Sequence, residues 1–501
     1  MSLLISSSSK TQQAFLKSVH ELYYLRTVAG LLSWDQETMM PPKGAESRAK
    51  QLSLISSLHH QRLTSPQFGE LLSQIQAESL DADMQPIARE MARDYHRAVK
   101  VPIRLVQEMT ETASLAYDAW TRARQQADFD SFAPWLEKVF ALKKEEARCL
   151  GFEKNPYDAH LDDYEPGLNT KIAEKLFAQL RKKVVPLVEY ATGKRTDERS
   201  ISWMRTSYPL PLQERLGREI VRAMGMDWTA GRLDVSPHPF CGGAGPNDVR
   251  ITTRYSENDF MSSLFGMIHE TGHALYEQGL DGQYFGTPLC DTVSLGIHES
   301  QSRLWENQVG RSRDFWEFWF PHFKETFPEQ TKSLNLEDFY RGINRVERSL
   351  IRIDADELTY NLHIVLRFEL EQGIFENQLA VKDLDAVWKE KMRGYLHVVP
   401  SHSGEGVLQD VHWSSGLVGY FPTYVLGNLY GAQFYHQANK DIPDLRAQIR
   451  AGNLTPLRQW LREKIHRHGR RYSAAQLVEN VTGEPPTVDY FIKYLEEKFG
   501  N

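Results

Sequence analysis

Residues 260–279 read FMSSLFGMIHETGHALYEQG, and within them His269-Glu270-Thr271-Gly272-His273 forms an HExxH pattern. The apolar residues of the first half give this stretch one hydrophobic flank when it is wound as an α-helix. They are Phe260, Leu264, Phe265 and Ile268. Ser256 and Asp259 can cap the start of the helix, and Gly279 stands where a C-terminal cap is expected.

The two histidines of the pattern lie four residues apart, so on a helix they project from one face about one turn apart. Two imidazoles placed in this way can reach one metal ion. Glu270 points about 100° further around the helix and can approach a metal-bound water without being a ligand. The alternative is a helix that carries two unrelated histidines.

A catalytic zinc site needs a third protein ligand and one open position. Glu299 is the first candidate because it follows His273 at a distance that allows a loop and a returning helix. The run 298–309 contains neither glycine nor proline, which favours that helix. His298 is a rival ligand and Glu306 a weaker one, and a glutamate in a helix, taken alone, is usually a solvated charge.

A site with two histidines and one glutamate predicts a metal-dependent peptide hydrolase. Zinc lowers the pKa of its bound water from about 15.7 to about 7. Glu270 can take the proton as general base, so that hydroxide attacks the scissile carbonyl, and can then pass the proton to the leaving amine. The oxyanion that forms needs zinc and one or two further hydrogen-bond donors.

The composition is that of an ordinary globular chain. Of 501 residues, 41% are hydrophobic and 25% are charged, and the net charge is -7. These values argue against a disordered or coiled-coil chain, and the negative balance argues against a nucleic-acid binder. No run of about 18 apolar residues predicts a membrane span.

Cysteine usage and the N-terminal residues favour a cytoplasmic protein. Cys149, Cys241 and Cys290 are odd in number and scattered, which fits neither a disulfide framework nor a cysteine zinc site. The apolar run near Met1 is three residues long, too short for a signal peptide.

Helical patterns dominate the chain and no composition break marks a linker, so we expect one large, all-α domain over 1–501. Pro41-Pro42 ends the first helix and Pro102 separates two others, because proline cannot continue a helix. Pro186 lies inside a further run and can kink or split it. The predicted helices include 12–33, 87–100, 103–127, 173–192 and 336–378, of which the last is the longest.

One stretch, 231–255, has a different pattern. Two short runs with β-strand character, 232–235 and 249–253, flank a segment rich in glycine and proline. This pattern predicts a small β-ribbon with a glycine-rich connection.

Six motifs along the chain resemble those of the M32 metallocarboxypeptidases, the family typified by carboxypeptidase Taq. The resemblance covers most of the chain, and the motifs occur in the family's order without a departure. They are HPF at 238–240, DxRxT at 248–252, HExxH at 269–273, HESQ at 298–301, IRxxAD at 351–356 and GxxQDxHW at 406–413. Residues 33–42 also look similar to the family, and we interpret them as a groove wall or a turn.

The resemblance implies an almost wholly α-helical fold with a deep groove, related to angiotensin-converting enzyme and neurolysin. It implies a homodimer that acts on peptides as a carboxypeptidase of broad specificity, with poor release of C-terminal proline. One zinc ion per chain, replaceable by cobalt, is the implied cofactor. By motif, His269, His273 and Glu299 are the ligands and Glu270 is the base.

A carboxypeptidase must recognise a free C-terminal carboxylate, which the planar fork of an arginine does best. Arg352 and Arg250 are the candidates because both stand in motifs. The alternative for Arg352 is a helix-surface pair with Asp356, and for Arg250 a salt bridge with Asp248. The strand of Arg250 can also pair with an extended substrate.

Four further residues are candidates for the substrate site. His412 is expected to bind substrate or stabilise the oxyanion, and Tyr420 and Tyr424 can supply phenolic donors. His238 can orient the groove, or it is a hydrogen-bonded loop histidine. An oligo-endopeptidase with the same metal site and a helical scaffold without catalysis are the alternative functions.

Overall fold

The computed structural model describes residues 9–193 and 201–500, and most of them lie in α-helices. The N-terminal apolar run discussed above, within residues 1–8, lies outside the described residues. Within the described ranges, every helix is too short or too polar to cross a lipid bilayer.

Nine α-helices lie in the first half of the chain as far as it is described. Pro102 separates two of them as predicted, whereas the helix that contains Pro186 continues through the proline. Their bounds are α1 Lys10–Thr38, α2 Ala45–Leu63, α3 Pro66–Ala77, α4 Met84–Lys100, α5 Ile103–Gln126, α6 Phe129–Leu150, α7 Asp158–Tyr164, α8 Thr170–Gly193 and α9 Leu210–Met224.

The second half contains the remaining described helices. They are α10 Phe260–Gly279, α11 Leu295–Arg303, α12 Arg313–Thr326, α13 Leu336–Ile343, α14 Tyr360–Phe375, α15 Leu384–Leu396, α16 Pro422–Asp441, α17 Leu445–Arg450, α18 Thr455–Lys464, α19 Ala474–Thr482 and α20 Asp489–Phe499. α11 runs directly into a π-helix, Leu304–Gly310.

A small sheet contains the predicted strands and a third. β1 is Gly231–Val235, β2 is Cys241–Gly245 and β3 is Asp248–Thr253, and their order is β1-β3-β2. β1 pairs parallel with the central β3, and β2 pairs antiparallel with it. The glycine-rich connection is therefore itself a strand, with a register shift of the kind that glycine permits.

The prediction of a single helix over 336–378 is wrong. α13 ends at Ile343 and α14 begins at Tyr360, and a non-helical segment with a 3-10 turn, Arg352–Asp354, joins them. The Asp356 carboxylate accepts hydrogen bonds from the backbone N–H groups of Glu347, Leu358 and Thr359. Such side-chain-to-backbone bonds compete with helical ones. A side chain distant in sequence also helps to prevent the helix from continuing, since the backbone N–H of Arg352 donates to Gln409 Oε1 at 2.8 Å.

Most buried apolar side chains form one large cluster through the centre of the molecule. α10, α14 and α16 are buried on nearly all sides, so they run through this core. A smaller apolar cluster joins α1, α3 and α4 at one side. The HExxH motif thus stands on a helix that its neighbours hold on nearly all sides.

Candidate metal centre and substrate groove

The helix α10 begins where its cap residue predicts. The Asp259 side chain accepts from the backbone N–H of Ser262 at 3.1 Å, so Asp259 is the N-cap. Ser256 lies outside the helix and takes part only through its carbonyl. Gly279 is the last helical residue and the C-cap is Leu280, so the predicted C-terminal cap was one residue early.

His269, His273 and Glu299 converge on one point. Their ligand atoms all lie within 4.8 Å of one another. Glu299 Oε2 is 3.6 Å from His269 Nε2 and 3.4 Å from His273 Nε2. The three residues predicted as metal ligands are therefore brought together, the first two by α10 and the third by α11.

Two glycines allow the helices to approach closely enough for this convergence. A Cβ at Gly272 would lie 2.6 Å from the carbonyl oxygen of Gln301 on α11. A Cβ at Gly427, on α16, would lie 2.5 Å from Cγ of Glu299. Distances this short are repulsive, so any larger residue would move α11 away from its neighbours.

The two rival ligands have other roles. Glu306, on the π-helix, holds His269 through a 2.9 Å hydrogen bond between Nδ1 and Oε2. His298 stacks face to face on His273, with ring centroids 4.2 Å apart, and its Nε2 lies 3.1 Å from Glu277. His298 therefore packs behind the predicted ligand His273, and Glu306 fixes the ring of the predicted ligand His269.

The protonation states of Glu299 and His273 suit a divalent cation, whereas the pKa of His269 is raised because the neighbouring carboxylates of Glu299 and Glu306 outweigh the effect of burial. Burial alone would raise the pKa of Glu299, but Arg303, 2.7 Å from Oε1, and His269 hold it well below its usual range. Burial lowers the pKa of His273 to about 3. An ionised carboxylate and a neutral imidazole are the forms that bind metals, and two histidines with one glutamate are a known zinc ligand set.

Glu270 lies next to this cluster in a cavity of about 280 Å³. It is only 6% exposed, and burial raises its pKa to about 7. The cavity is lined by Pro239, Phe240, Cys241, His269, Glu270, His273, Leu295, His298, Glu299, Tyr420, Thr423 and Tyr424. A carboxylate that titrates near neutrality is suited to accept and return a proton.

Tyr420 and Tyr424 lie in the wall of the cavity, and His412 packs against both of them. His412 Nε2 lies 3.3 Å from the Tyr424 hydroxyl, and the rings of His412 and Tyr420 are 5.4 Å apart. Burial lowers the pKa of His412 to about 4, so the ring is neutral near pH 7. The structure thus brings these three predicted residues together beside the metal ligands.

Arg352 is buried behind this wall. Its Nε and Nη2 each lie 2.9 Å from Asp410 Oδ1, and Nη1 donates to the Tyr360 hydroxyl at 3.1 Å. Its guanidinium carbon is 5.2 Å from the ring centroid of Tyr424. The alternative of a helix-surface pair with Asp356 is wrong, because Arg352 stands in a 3-10 turn and its partner is Asp410.

Arg250 and His238 have different surroundings. Arg250 forms a two-point salt bridge with Asp248, at 2.7 and 2.9 Å, and lies over the ring of Trp34 at 4.6 Å. His238 is exposed. Among the described residues, those that line the metal cavity include neither of the two, although Pro239 and Phe240 of the HPF motif do.

Sequence reasoning missed three residues of the site. Asp410 lies within the GxxQDxHW motif at 406–413, but nothing in that pattern indicated that it pairs with Arg352. Arg303 follows Glu299 by four residues, a helical spacing that could have identified it. Tyr360 had no sequence signal, because only the fold brings it to both arginines.

Comparisons with known proteins agree with this geometry. A family model described as carboxypeptidase Taq (M32) metallopeptidase matches residues 14–499. Thermostable carboxypeptidase 1 of Thermus thermophilus is 45% identical over 97% of this chain and 98% of that protein. Carboxypeptidase 1 of Bacillus subtilis is 38% identical over 98% of both chains. The crystal structure of an M32 carboxypeptidase from Deinococcus radiodurans has 39% identity and a TM-score of 0.95, covering 98% of this chain and 99% of that one.

The family match includes every motif and every residue of the cavity described above. The similarity also extends over almost the whole length of each relative, so it concerns the complete fold rather than one shared motif. This chain therefore belongs to the M32 family of metallopeptidases and is a metallocarboxypeptidase.

Proposed function

We propose that this protein releases single amino acids from the C-termini of peptides by means of one zinc ion held by His269, His273 and Glu299. The observation that carries this proposal is the position of Arg352 directly behind a wall of the metal cavity, in contact with Tyr424. Cobalt is expected to substitute for zinc, because the same nitrogen and oxygen ligands bind both ions.

The residues of the cavity have complementary tasks in peptide hydrolysis. A divalent metal in this site supplies a Lewis acid and a water of lowered pKa. Glu270 accepts the proton of the attacking water and returns it to the leaving amine. Tyr420, which lines the cavity, and His412, which packs against Tyr420, are proposed to donate hydrogen bonds to the carbonyl oxygen as it gains charge, which is where fixed donors act most strongly.

Arg352 is proposed to bind the C-terminal carboxylate of the peptide. An arginine has five N–H donors, and among the described residues three of them have partners, on Asp410 and Tyr360. Two donors remain for a carboxylate. Broad specificity is expected from the family resemblance, and a C-terminal proline, which lacks the leaving N–H and bends the chain, is expected to be a poor substrate.

The test compares free-acid peptides with the same peptides amidated at the C-terminus. The wild-type protein loaded with zinc should cleave the free acids with a kcat/KM about 10- to 100-fold higher, the effect of a hydrogen bond to a charged group. Arg352→Lys keeps the charge beside Asp410 but removes the fork, so this preference should fall. Equal cleavage of both peptides by the wild type would instead favour an oligo-endopeptidase.

Three finer properties complete the proposal. We expect a homodimer, as the family resemblance implies, and light scattering of the purified protein tests it. The three cysteines are unpaired among the described residues, which supports a reducing, cytoplasmic location. Metal analysis of protein purified without added ions tests the identity of the metal and a content of one ion per chain.

A further inference from the structure

Tyr360, the first residue of α14, lies between two guanidinium groups. The ring centroid is 4.5 Å from Cζ of Arg303 and 5.9 Å from Cζ of Arg352, and the hydroxyl accepts from Arg352 Nη1 at 3.1 Å. Tyr360 is 5% exposed, so the surrounding core restricts its movement. A ring held in this way transmits a displacement of one arginine to the other.

On one side of the ring, Arg303 contacts both acids of the metal centre. Its Nε donates to Glu299 Oε1 at 2.7 Å, and its Nη1 lies 3.4 Å from Glu306 Oε2. Glu299 is a proposed ligand, and Glu306 holds the ligand His269. A shift of the Arg303 guanidinium therefore changes the position of one ligand and the support of another.

On the other side of the ring, one edge of the Arg352 guanidinium is bonded to Asp410, and N–H groups on its other edge remain available to a ligand. Asp410 binds Nε and Nη2, and it is itself held by Arg367, whose Nε lies 2.7 Å from Asp410 Oδ2. A carboxylate that binds the remaining N–H groups of Arg352 pulls Nη1 towards itself, and so competes with the hydrogen bond from Nη1 to the Tyr360 hydroxyl. Binding at Arg352 therefore changes this hydrogen bond and the position of the Tyr360 ring.

This inference rests on the proposed function, because it requires Arg352 to bind the C-terminal carboxylate. We propose that Tyr360 is a positioning residue that couples carboxylate binding at Arg352 to the placement of the metal ligand Glu299 through Arg303. The metal centre then binds zinc most tightly when a free-acid peptide is present. An amidated peptide does not bind Arg352 in this way and does not raise the zinc affinity. The enzyme therefore discriminates against it by more than the lost contact with Arg352.

The coupling is measurable as a change in metal affinity. The apo-protein is titrated with zinc in competition with a chelator, in the absence and presence of saturating 3-phenylpropanoate, with 3-phenylpropanamide as the uncharged comparison. In the wild type, the carboxylate should raise the zinc affinity by about 5-fold or more, and the amide should not. By linkage, zinc must raise the affinity for the carboxylate by the same factor.

Tyr360→Phe keeps the ring under Arg303 and removes the hydroxyl that Arg352 contacts. In this variant the zinc affinity with 3-phenylpropanoate should exceed the zinc affinity without it by less than about 2-fold. The zinc affinity in the absence of the carboxylate should be nearly unchanged. Arg303→Lys provides a second variant, since it keeps the charge beside Glu299 but loses the flat contact with the ring, and it should uncouple the sites in the same way.

Tyr395→Phe is the matched control. Tyr395, on α15, also has an arginine over its ring, with Arg181 Cζ at 5.2 Å and Nη1 at 2.5 Å from the hydroxyl. This substitution should leave the ratio at the wild-type value. A Tyr360→Phe protein that keeps the wild-type ratio would overturn the proposal.

The carboxylate anchor and the coupling are tested by different measurements. A wild type that prefers free-acid peptides but shows the same zinc affinity with and without 3-phenylpropanoate removes the coupling and leaves the carboxypeptidase assignment intact. A wild type that cleaves free-acid and amidated peptides equally removes the carboxylate anchor, and the coupling with it.

Discussion

His269 is held at both nitrogens of its ring. Nδ1 lies 2.9 Å from Glu306 Oε2, and Nε2 faces Glu299 at 3.6 Å. A carboxylate at Nδ1 selects the tautomer that leaves Nε2 unprotonated, which is the form a metal requires. Burial alone would raise the pKa of Glu306, but His269 and Arg303 lower it to about 2, so it remains an acceptor throughout the neutral range.

Replacing Glu306 by alanine should weaken zinc binding by about 10- to 100-fold, because His269 loses the partner that orients its ring. Chelator competition on the apo-protein measures the change. Glu317→Ala, on α12, is the control, since this acid is exposed and pairs only loosely with Arg313 at 3.6 Å. An unchanged affinity in Glu306→Ala would contradict the role assigned to Glu306.

At the scale of the elements, the metal centre depends on how closely α10 and α11 approach. Gly272 stands at the crossing, where a methyl group would meet the backbone of Gln301 and Ser302 at 2.6 Å. The backbone of a buried helix cannot move aside as a flexible side chain can. The distance between the two histidines and Glu299 is therefore set by the absence of a side chain at this position.

Gly272→Ala should separate the helices and reduce both stability and zinc affinity. Overpacking of a core contact costs about 1–3 kcal/mol, which urea unfolding measures. Gly394→Ala, on α15, is the matched control, because a Cβ there has open space around it. That control should be neutral or more stable by up to about 1 kcal/mol, and an equal effect of both substitutions would argue against a close crossing.

α14 also fixes the loop that carries His412. Glu371, fully buried on α14, accepts from Trp413 Nε1 at 2.6 Å, from the Gly419 N–H at 2.9 Å and from the Tyr157 hydroxyl. Burial raises its pKa to about 7 from an ordinary value of 4.5. The folded state therefore binds this proton more tightly than the unfolded state does.

Stability should consequently fall as the pH rises. The contribution of the Glu371 proton is fully present below about pH 4.5 and is lost as the pH passes through about 7. Glu371→Gln cannot ionise, so the free energy of unfolding of the wild type relative to this variant should decrease by on the order of 3 kcal/mol over that interval. Urea unfolding at a series of pH values measures it, and a constant difference would be inconsistent with a raised pKa.

At the scale of the whole molecule, the C-terminal helix supports the segment that carries Arg352. Lys498, on α20, forms a 2.6 Å ion pair with Glu357, and the two side chains are only 6% and 4% exposed. Residues 344–359 do not form an α-helix, so contacts of this kind stabilise their backbone conformation. Helix α20 thus holds the segment that carries Arg352 through this ion pair.

Lys498→Met should destabilise the protein by about 3–5 kcal/mol, because it leaves the Glu357 carboxylate buried without a cation. The double variant Lys498→Met with Glu357→Gln should recover much of the loss. Lys493→Met, on the exposed face of the same helix and 3.9 Å from Glu497, should change stability little. Thermal unfolding of the four proteins checks this, and equal effects at Lys493 and Lys498 would contradict a buried pair.

The sequence by itself determined the helical class, the small strands and the centre of the site. His269, Glu270 and His273 are related by the geometry of one helix, so their spacing predicts their arrangement. Glu299 was predicted as the completing ligand, and Arg352 and His412 were predicted as substrate-site residues from their motifs.

Tertiary structure alone decided how those residues act. The break between Ile343 and Tyr360 follows from hydrogen bonds that Asp356 and Gln409 make only in the folded chain, and these place Arg352 beside Asp410. Glu306 and Tyr360 become part of the site because helices distant in sequence cross there. Local propensity determines which segments are helical, but contacts between distant residues decide which faces of the helices pack together. The periodicity of the sequence does not contain that information.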